Sequence, residues 1–244
     1  MPSYVLQLDL GNTQGKWRLL GDTSVVARGV FSLDALPDFA GELSGLPAIE
    51  QCWVSSVAGT RANERLGECL RGALAITPHF AVAAAQFGDL VNSYSEPARM
   101  GVDRWLAMIA ARERTQQRCC VVDAGSALTI DWIAENGEHE GGFIIPGAAL
   151  MERALLLDTD RVRFQEAAEY RLSPGVETSE AVRHGIALAL AGAVQLSLDR
   201  QGFDVASCEL FYTGGAGLLL ADLVGRGGDV CGDLVFEGLS RISH

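Results

Sequence analysis

The chain has 244 residues, 48% of them hydrophobic, enough for one large domain or two small ones with a sizeable core. A formal net charge of -12 argues against binding nucleic acid, which needs a basic face to neutralise phosphates. Anionic ligands must then be held locally, by backbone N–H groups, helix N-termini, a bound cation or a few well-placed arginines.

Met1-Pro2-Ser3 lacks the basic start of a secretory signal, and Tyr4 to Leu10 is too short and too polar to continue one. No apolar run reads as long enough to span a bilayer, so a cytoplasmic protein without a membrane partner is expected. The pattern then predicts strands at Tyr4 to Asp9, Lys16 to Leu20 and Ser24 to Val30, and a helix over Leu33 to Leu43. A strand at Cys52 to Ser56 and a helix over Asn63 to Ala73, capped by Asn63, complete a β-β-β-α-β-α order. Val102 to Arg114 is a strong helical pattern, with Trp105, Leu106, Ile109 and Ala110 on one apolar face.

The same order returns after Arg118. A strand ends at Val121 to Asp123, a second covers Ala127 to Ile133, and Asn136-Gly137 turns the chain into a third at Gly141 to Ile145. Helix Ala148 to Leu157, an irregular segment from Asp158 to Gly175, and a long helix from Ser179 to Asp199 follow. The chain ends with strand Glu209 to Tyr212 and short helices at Gly217 to Val224 and Leu234 to Ile242. This is an α/β protein of two copies of one topology, residues 1-115 and 116-244, with the boundary near Arg114 to Arg118. The cysteines (Cys52, Cys69, Cys119, Cys120, Cys208, Cys231) form no C-x-x-C pair, so reduced, mostly buried thiols are expected; the scattered histidines suggest no zinc site.

Matching turns join the first two strands of each copy. In Asp9-Leu10-Gly11-Asn12-Thr13, Gly11 allows close approach of backbone to a ligand, and Asn12 and Thr13 offer hydrogen bonds. The Asp9 carboxylate cannot hold phosphate directly but suits Mg²⁺ or its waters, and Lys16 offers a positive charge to the same phosphates. An ordinary hairpin turn with a solvated lysine explains the same residues. Its counterpart, Asp123-Ala124-Gly125-Ser126-Ala127, changes the balance, because two polar turns facing each other across a cleft can clamp a triphosphate. Thr213-Gly214-Gly215-Ala216-Gly217 follows a strand and opens a helix, which suits contact with adenosine or an α-phosphate. No G-x-x-x-x-G-K-[ST] occurs, so a P-loop kinase is disfavoured. Gly101-Val102-Asp103-Arg104 puts Asp103 in the first turn of a helix, where stabilisation by the helix dipole, about 0.3–1 kcal/mol, is the simpler account of the motif taken alone.

The three glycine-rich elements resemble the phosphate 1, phosphate 2 and adenosine motifs of the actin, sugar kinase and Hsp70 superfamily. With Gly101-Val-Asp103-Arg104, Asp123-Ala-Gly-Ser-Ala-Leu-Thr-Ile-Asp131 and Gly141-Gly-Phe-Ile-Ile-Pro146-Gly147 in order, nearly the whole chain resembles the type III pantothenate kinases. The resemblance implies two ribonuclease-H-like lobes with ATP in the cleft, a homodimer, and phosphorylation of pantothenate on the path to coenzyme A. It implies Mg²⁺ and a monovalent cation, K⁺ or NH₄⁺, bound by Asp123. It makes Asp103 the general base, places pantothenate against Tyr94, Gly101, Val102, Asp103 and Arg104, and gives ATP the loop Asp9, Leu10, Gly11, Asn12, Thr13, Gln14, Gly15 and Lys16, together with Ser126. Thr178 matches a threonine that reaches pantothenate from the neighbouring subunit, although capping of the helix starting near Ser179 would also explain it. Ser126 stands where the family usually has threonine, which keeps the hydroxyl. A regulatory or transcriptional accessory protein on the same scaffold and a sugar kinase of the same superfamily remain the alternatives.

Overall fold

Alternation along the first strand sets which face of its sheet is apolar. In β1 (Tyr4–Leu10), Leu6, Leu8 and Leu10 point to one side and are at most 1% exposed, while Gln7 points to the other. The computed structural model describes residues 3–12, 14–22, 24–158 and 168–243. They fall into two compact units, one of Met1–Phe87, Tyr94–Ala110 and Leu234–His244, the other of Gly88–Ser93 and Ala111–Asp233. Neither unit is therefore a single stretch of sequence.

In the first unit β1 pairs antiparallel with β2 (Gly15–Gly21), which pairs with β3 (Ser24–Phe31). On its other side β1 runs parallel to β4 (Gln51–Ser56), and β4 to the two-residue β5 (His79–Phe80), so the sheet order is β3-β2-β1-β4-β5. Helices α1 (Leu36–Ser44) and α2 (Thr60–Leu74) cover the leucine face through Leu36, Phe39, Leu43, Leu66 and Leu70. The opposite face carries a buried polar pair, Gln7 of β1 and Arg18 of β2. Arg18 donates to the Gln7 side-chain oxygen at 2.8 Å, to the Phe236 carbonyl at 2.8 Å and to the Ser240 hydroxyl at 3.0 Å. Its guanidinium also lies over the Phe236 ring. The C-terminal helix, Leu234–Ile242, thus closes the first unit through a fully satisfied network.

Short strands β6 (Gln86–Phe87) and β7 (Leu90–Val91) precede helix α3 (Val102–Arg114), within which the division between units falls. The second unit repeats the plan: β8 (Arg118–Ala124), β9 (Ala127–Ile133) and β10 (His139–Pro146) are antiparallel, and β11 (Cys208–Thr213) runs parallel to β8 and to β12 (Asp229–Val230). The order β10-β9-β8-β11-β12 repeats that of the first sheet. Between β10 and β11 lie α4 (Ala148–Asp158) and α5 (Thr178–Arg200); α6 (Gly217–Val224) follows β11, and the C-terminal helix is α7. Cys120, Val122, Leu128, Ile130 and Trp132 meet Ile186, Leu190, Val194 and Leu198 of α5 in the second core.

Three expectations need correction. Helix α2 starts at Thr60 behind Gly59, and Asn63 lies inside it, bonded to the Ser56 hydroxyl rather than capping. Helix α5 starts at Thr178 with Glu177 at the cap position and no side-chain capping bond, so Thr178 does not cap it. An apolar stretch long enough to span a bilayer does exist: α5 has 23 residues and an 18-residue window of mean hydropathy 1.4. Part of this apolarity serves the core, where Ile186, Ala187, Leu190, Ala191, Val194 and Leu198 are buried, while Leu188 and Leu196 are exposed. Residues 159–167 of the segment expected to be irregular lie outside the described residues.

Gly238 of α7 comes so close to α3 that an added Cβ would collide with the Leu106 carbonyl. We expect Gly238→Ala to destabilise the protein by about 1–3 kcal/mol in urea unfolding; an unchanged midpoint would mean that α7 docks more loosely than described.

Candidate active site

Register, not sequence proximity, assembles the site of the first unit. At the end of β1, Asp9 stands opposite Lys16 on β2 and opposite Ser55 on β4. The fully buried Ser55 donates its hydroxyl to Asp9 Oδ1 at 3.0 Å. Beyond Asp9 the chain turns tightly, with the Gly11 N–H bonded to the Gln14 carbonyl. Asn12, Gln14 and Lys16 are exposed there, and Thr13 lies outside the described residues. Leu10 and Gly15 serve the core: the Leu10 side chain is 1% exposed, and the Phe31 ring fills the space a Gly15 side chain would need. Only backbone atoms of these two can face a nucleotide.

The start of α3 supplies the second carboxylate. The Gly101 carbonyl accepts from the Trp105 N–H at 3.1 Å, opening the helix, and the Arg104 N–H donates to Asp103 Oδ1 at 2.8 Å. An added Cβ on Gly101 would press on that oxygen at 2.6 Å, so glycine here lets the carboxylate fold back. The Val102 side chain is buried. Arg104, itself 5% exposed, donates from Nη1 to the Tyr94 hydroxyl at 2.8 Å and covers the Tyr94 ring. Five of the residues singled out by sequence, Tyr94, Gly101, Val102, Asp103 and Arg104, thus gather around one helix start.

Electrostatics joins this cluster to Asp9. Burial pushes the Asp9 carboxyl up to about 6, and the negative charge of Asp103 adds to the rise; the Ser55 hydrogen bond and the Lys16 charge oppose it. A half-buried carboxylate repelled by a second one fits a hard divalent cation with oxygen ligands, because the cation removes the repulsion that otherwise favours protonation. Ser55 escaped the sequence reading. Its only trace there is a strand that ends in two serines, Ser55-Ser56, at the level of the Asp9 turn.

In the second unit Asp123 ends β8, paired with Thr129 and Thr213. The Gly125 N–H donates to the Ala127 carbonyl, the Gly147 N–H to the Ser126 carbonyl and the Ala216 N–H to the Ala124 carbonyl, each at 3.0 Å. Gly214 has φ +83°, and a Cβ there would strike both the Asp123 carboxylate and the Ala124 backbone. The two glycine-rich segments therefore converge on Asp123, with Ser126 exposed beside it. The Asp123 carboxylate is a hard oxygen donor of the kind that could hold a monovalent cation. Thr178 lines a groove of about 710 Å³ between α4 and α5, together with Leu150, Met151, Leu155 and Val182.

The fold of both units is shared with solved proteins of the actin-like ATPase and sugar kinase class. A Campylobacter jejuni protein described as a Baf family transcriptional activator superimposes with a TM-score of 0.61 at 24% identity, covering 97% of this chain and 96% of the other. A Sinorhizobium meliloti protein described as a 2-dehydro-3-deoxygalactonokinase does so at 0.58 and 14%, covering 98% of each. Sequence is more specific: the profile of type III pantothenate kinases matches residues 5–200. The chain is 38% identical to the type III pantothenate kinase of Pseudomonas syringae pv. syringae (strain B728a), covering 97% of each. It is 36% identical to that of Marinobacter nauticus (strain ATCC 700491 / DSM 11845 / VT8), covering 98% of each. The chain belongs to the type III pantothenate kinase family.

The raised carboxyl of Asp9 gives a signed expectation for stability. Because the folded state holds this proton more tightly than the unfolded chain, stability falls as pH rises from about 4 to about 6, by at most about 3 kcal/mol. Asp9→Asn removes that penalty, so the ligand-free variant should melt above the parent at pH 8, and the gap should close towards pH 4. A lower melting temperature at pH 8 would show that Asp9 is stabilised as a carboxylate.

Proposed function

We propose that this protein transfers the γ-phosphoryl group of ATP to the primary hydroxyl of pantothenate, giving 4'-phosphopantothenate, the first step of coenzyme A synthesis, in the cytoplasm. Membership of the family carries the reaction; the helix start holding Tyr94, Asp103 and Arg104 supports the acceptor site. In the transfer the bond from the γ-phosphorus to its bridging oxygen breaks, a bond to the pantothenate oxygen forms, and ADP leaves. The hydroxyl proton passes to Asp103.

The timing of that proton follows from magnitudes. An ordinary carboxylate of pKa about 3.9 faces an alcohol near the value of water, about 15.7, a gap worth about 16 kcal/mol. Asp103 therefore orients the hydroxyl and takes its proton late, once charge has moved onto phosphate in a loose transition state. The Arg104 N–H, donating to Asp103 Oδ1, fixes the orientation of the carboxylate at the helix start. Tyr94, Gly101, Val102 and Arg104 seat pantothenate, with the Arg104 guanidinium fixed against Tyr94.

ATP is bound by the loop from Asp9 to Lys16, where exposed Asn12, Gln14 and Lys16 can reach phosphates, and by Ser126. Asp9, held by Ser55, takes Mg²⁺, and Asp123 takes K⁺ or NH₄⁺. These cations supply the positive charge that a protein of net charge -12 lacks for holding a triphosphate. The active form is a homodimer in which Thr178 completes the partner's acceptor site. Exposed Leu150 (41%), Leu188 (61%) and Leu196 (58%) on α4 and α5 support a contact between copies on this face.

Pantothenate-dependent release of ADP from ATP with Mg²⁺ and K⁺ tests the reaction. Preferential turnover of a sugar would replace it with a sugar kinase, and no turnover of any acceptor would favour an accessory protein. Asp103→Asn should keep the fold and lower kcat about 10²–10⁴-fold; an undiminished kcat removes Asp103 from the role of base. Mixing Asp103→Asn and Thr178→Ala proteins should restore part of the activity through hybrid dimers, and failure despite verified subunit exchange would refute a shared site.

A further inference from the structure

Asp131 closes the motif that begins at Asp123, yet it takes no part in the site described above. It is 1% exposed and accepts a 3.0 Å hydrogen bond from Nε2 of His139, which is 3% exposed. With Nε2 carrying the proton for Asp131, the Nδ1 lone pair accepts from the Ser93 hydroxyl at 2.8 Å. A histidine serving only the core would turn its second nitrogen to the interior. Here it reaches an exposed serine at the end of the strap Gly88–Ser93.

Two further ties hold the same strap to the second unit. Arg112 donates to Asp89 Oδ2 from Nε at 3.0 Å and from Nη2 at 2.7 Å, and Nη2 also bonds the Glu135 carbonyl. The Val91 N–H donates to the Gly137 carbonyl at 3.0 Å. Asp89 and Ser93 are held through their side chains and Val91, midway between them, through its main-chain N–H, so the strap is fastened along its length. The last tie, at Ser93, lies one peptide bond before Tyr94, whose hydroxyl receives Arg104.

We propose that Asp131, His139 and Ser93 form a positioning relay for the acceptor. They fix the last residue of the strap and so limit the backbone freedom of Tyr94. The inference rests on the reading of Tyr94 as an acceptor contact. None of the three touches the reacting atoms. Asp131 orients the imidazole, His139 orients the Ser93 hydroxyl, and Ser93 anchors the backbone that carries Tyr94. Their loss should weaken acceptor binding while leaving phosphoryl transfer from bound complexes nearly intact.

Steady-state kinetics of the full chain with pantothenate and Mg·ATP tests this. Ser93→Ala should raise KM for pantothenate about 3–10-fold, the effect of one hydrogen bond, with kcat within about twofold and KM for ATP unchanged. Ser93→Thr, which keeps the hydroxyl, should restore it. In His139→Gln the amide nitrogen can still serve Asp131 but no longer Ser93, so this variant should match Ser93→Ala, and the double variant should be no worse than either. A merely structural role would lower the melting temperature and disturb both KM values together. Tyr94→Phe separates the two layers of the argument. If it raises KM for pantothenate while Ser93→Ala and His139→Gln leave it unchanged, the relay is overturned. If Tyr94→Phe itself has no effect, the reading of Tyr94 fails and the relay falls with it.

Discussion

Two carboxylates within electrostatic reach of each other, in a protein already carrying net negative charge, are the constraint around which the first unit is organised. Burial and the neighbouring Asp103 both push Asp9 towards its neutral form, and Ser55 and Lys16 pull it back. Such a spot is unfavourable in the empty protein and becomes favourable only when positive charge arrives. The fold tolerates it because Asp9 sits at the end of β1 on the face opposite Leu6, Leu8 and Leu10, which are committed to the core. Instability is thus confined to a strand end and does not spread along the strand.

The second unit solves a related problem with backbone rather than charge. Its loop after β8 is pinned by three main-chain hydrogen bonds and by glycines at places where any side chain would strike the Asp123 carboxylate or its flanking carbonyls. The two sheets keep the same strand order, yet their first turns differ: one carries a lysine and a buried serine partner, the other a serine and close-packed glycines. The two units agree in how their strands pair and differ in the turn that follows the first strand.

Long strands were legible by two signals: polar and apolar residues alternate in β1 and β2, and Val, Ile and Thr recur in the apolar runs of β8 and β9. The two-residue strands β5 and β12 leave no periodic trace. Caps were harder: Asn63 is a good capping residue by type, but Gly59 with positive φ starts the helix earlier, and the Asn63 side chain is taken by Ser56. The helix α5 escaped notice as an apolar span because Arg183, His184 and Ser197 interrupt its run, whereas the average over 18 residues stays high. Of the site, Asp9, Asp103 and Asp123 stood out through their glycine neighbours. Ser55 and His139 did not, since each acts across a strand pair or a strap and becomes visible only once register is known.

The C-terminal helix has a bearing on synthesis. Arg18 and Gln7 are made well before their partners at Phe236 and Ser240, with 218 positions between Arg18 and Phe236. Until then the polar face of the first sheet has a buried-type arginine with nothing to cover it. The first unit therefore cannot complete its core until the second has been made, and the nascent chain must keep a half-finished sheet from self-association in the meantime. Contacts of this sequence separation also slow folding, because a long loop must close before they stabilise anything. Completion of the first unit thus waits on the second: the strands made first are closed by a helix that lies beyond the whole of Ala111–Asp233.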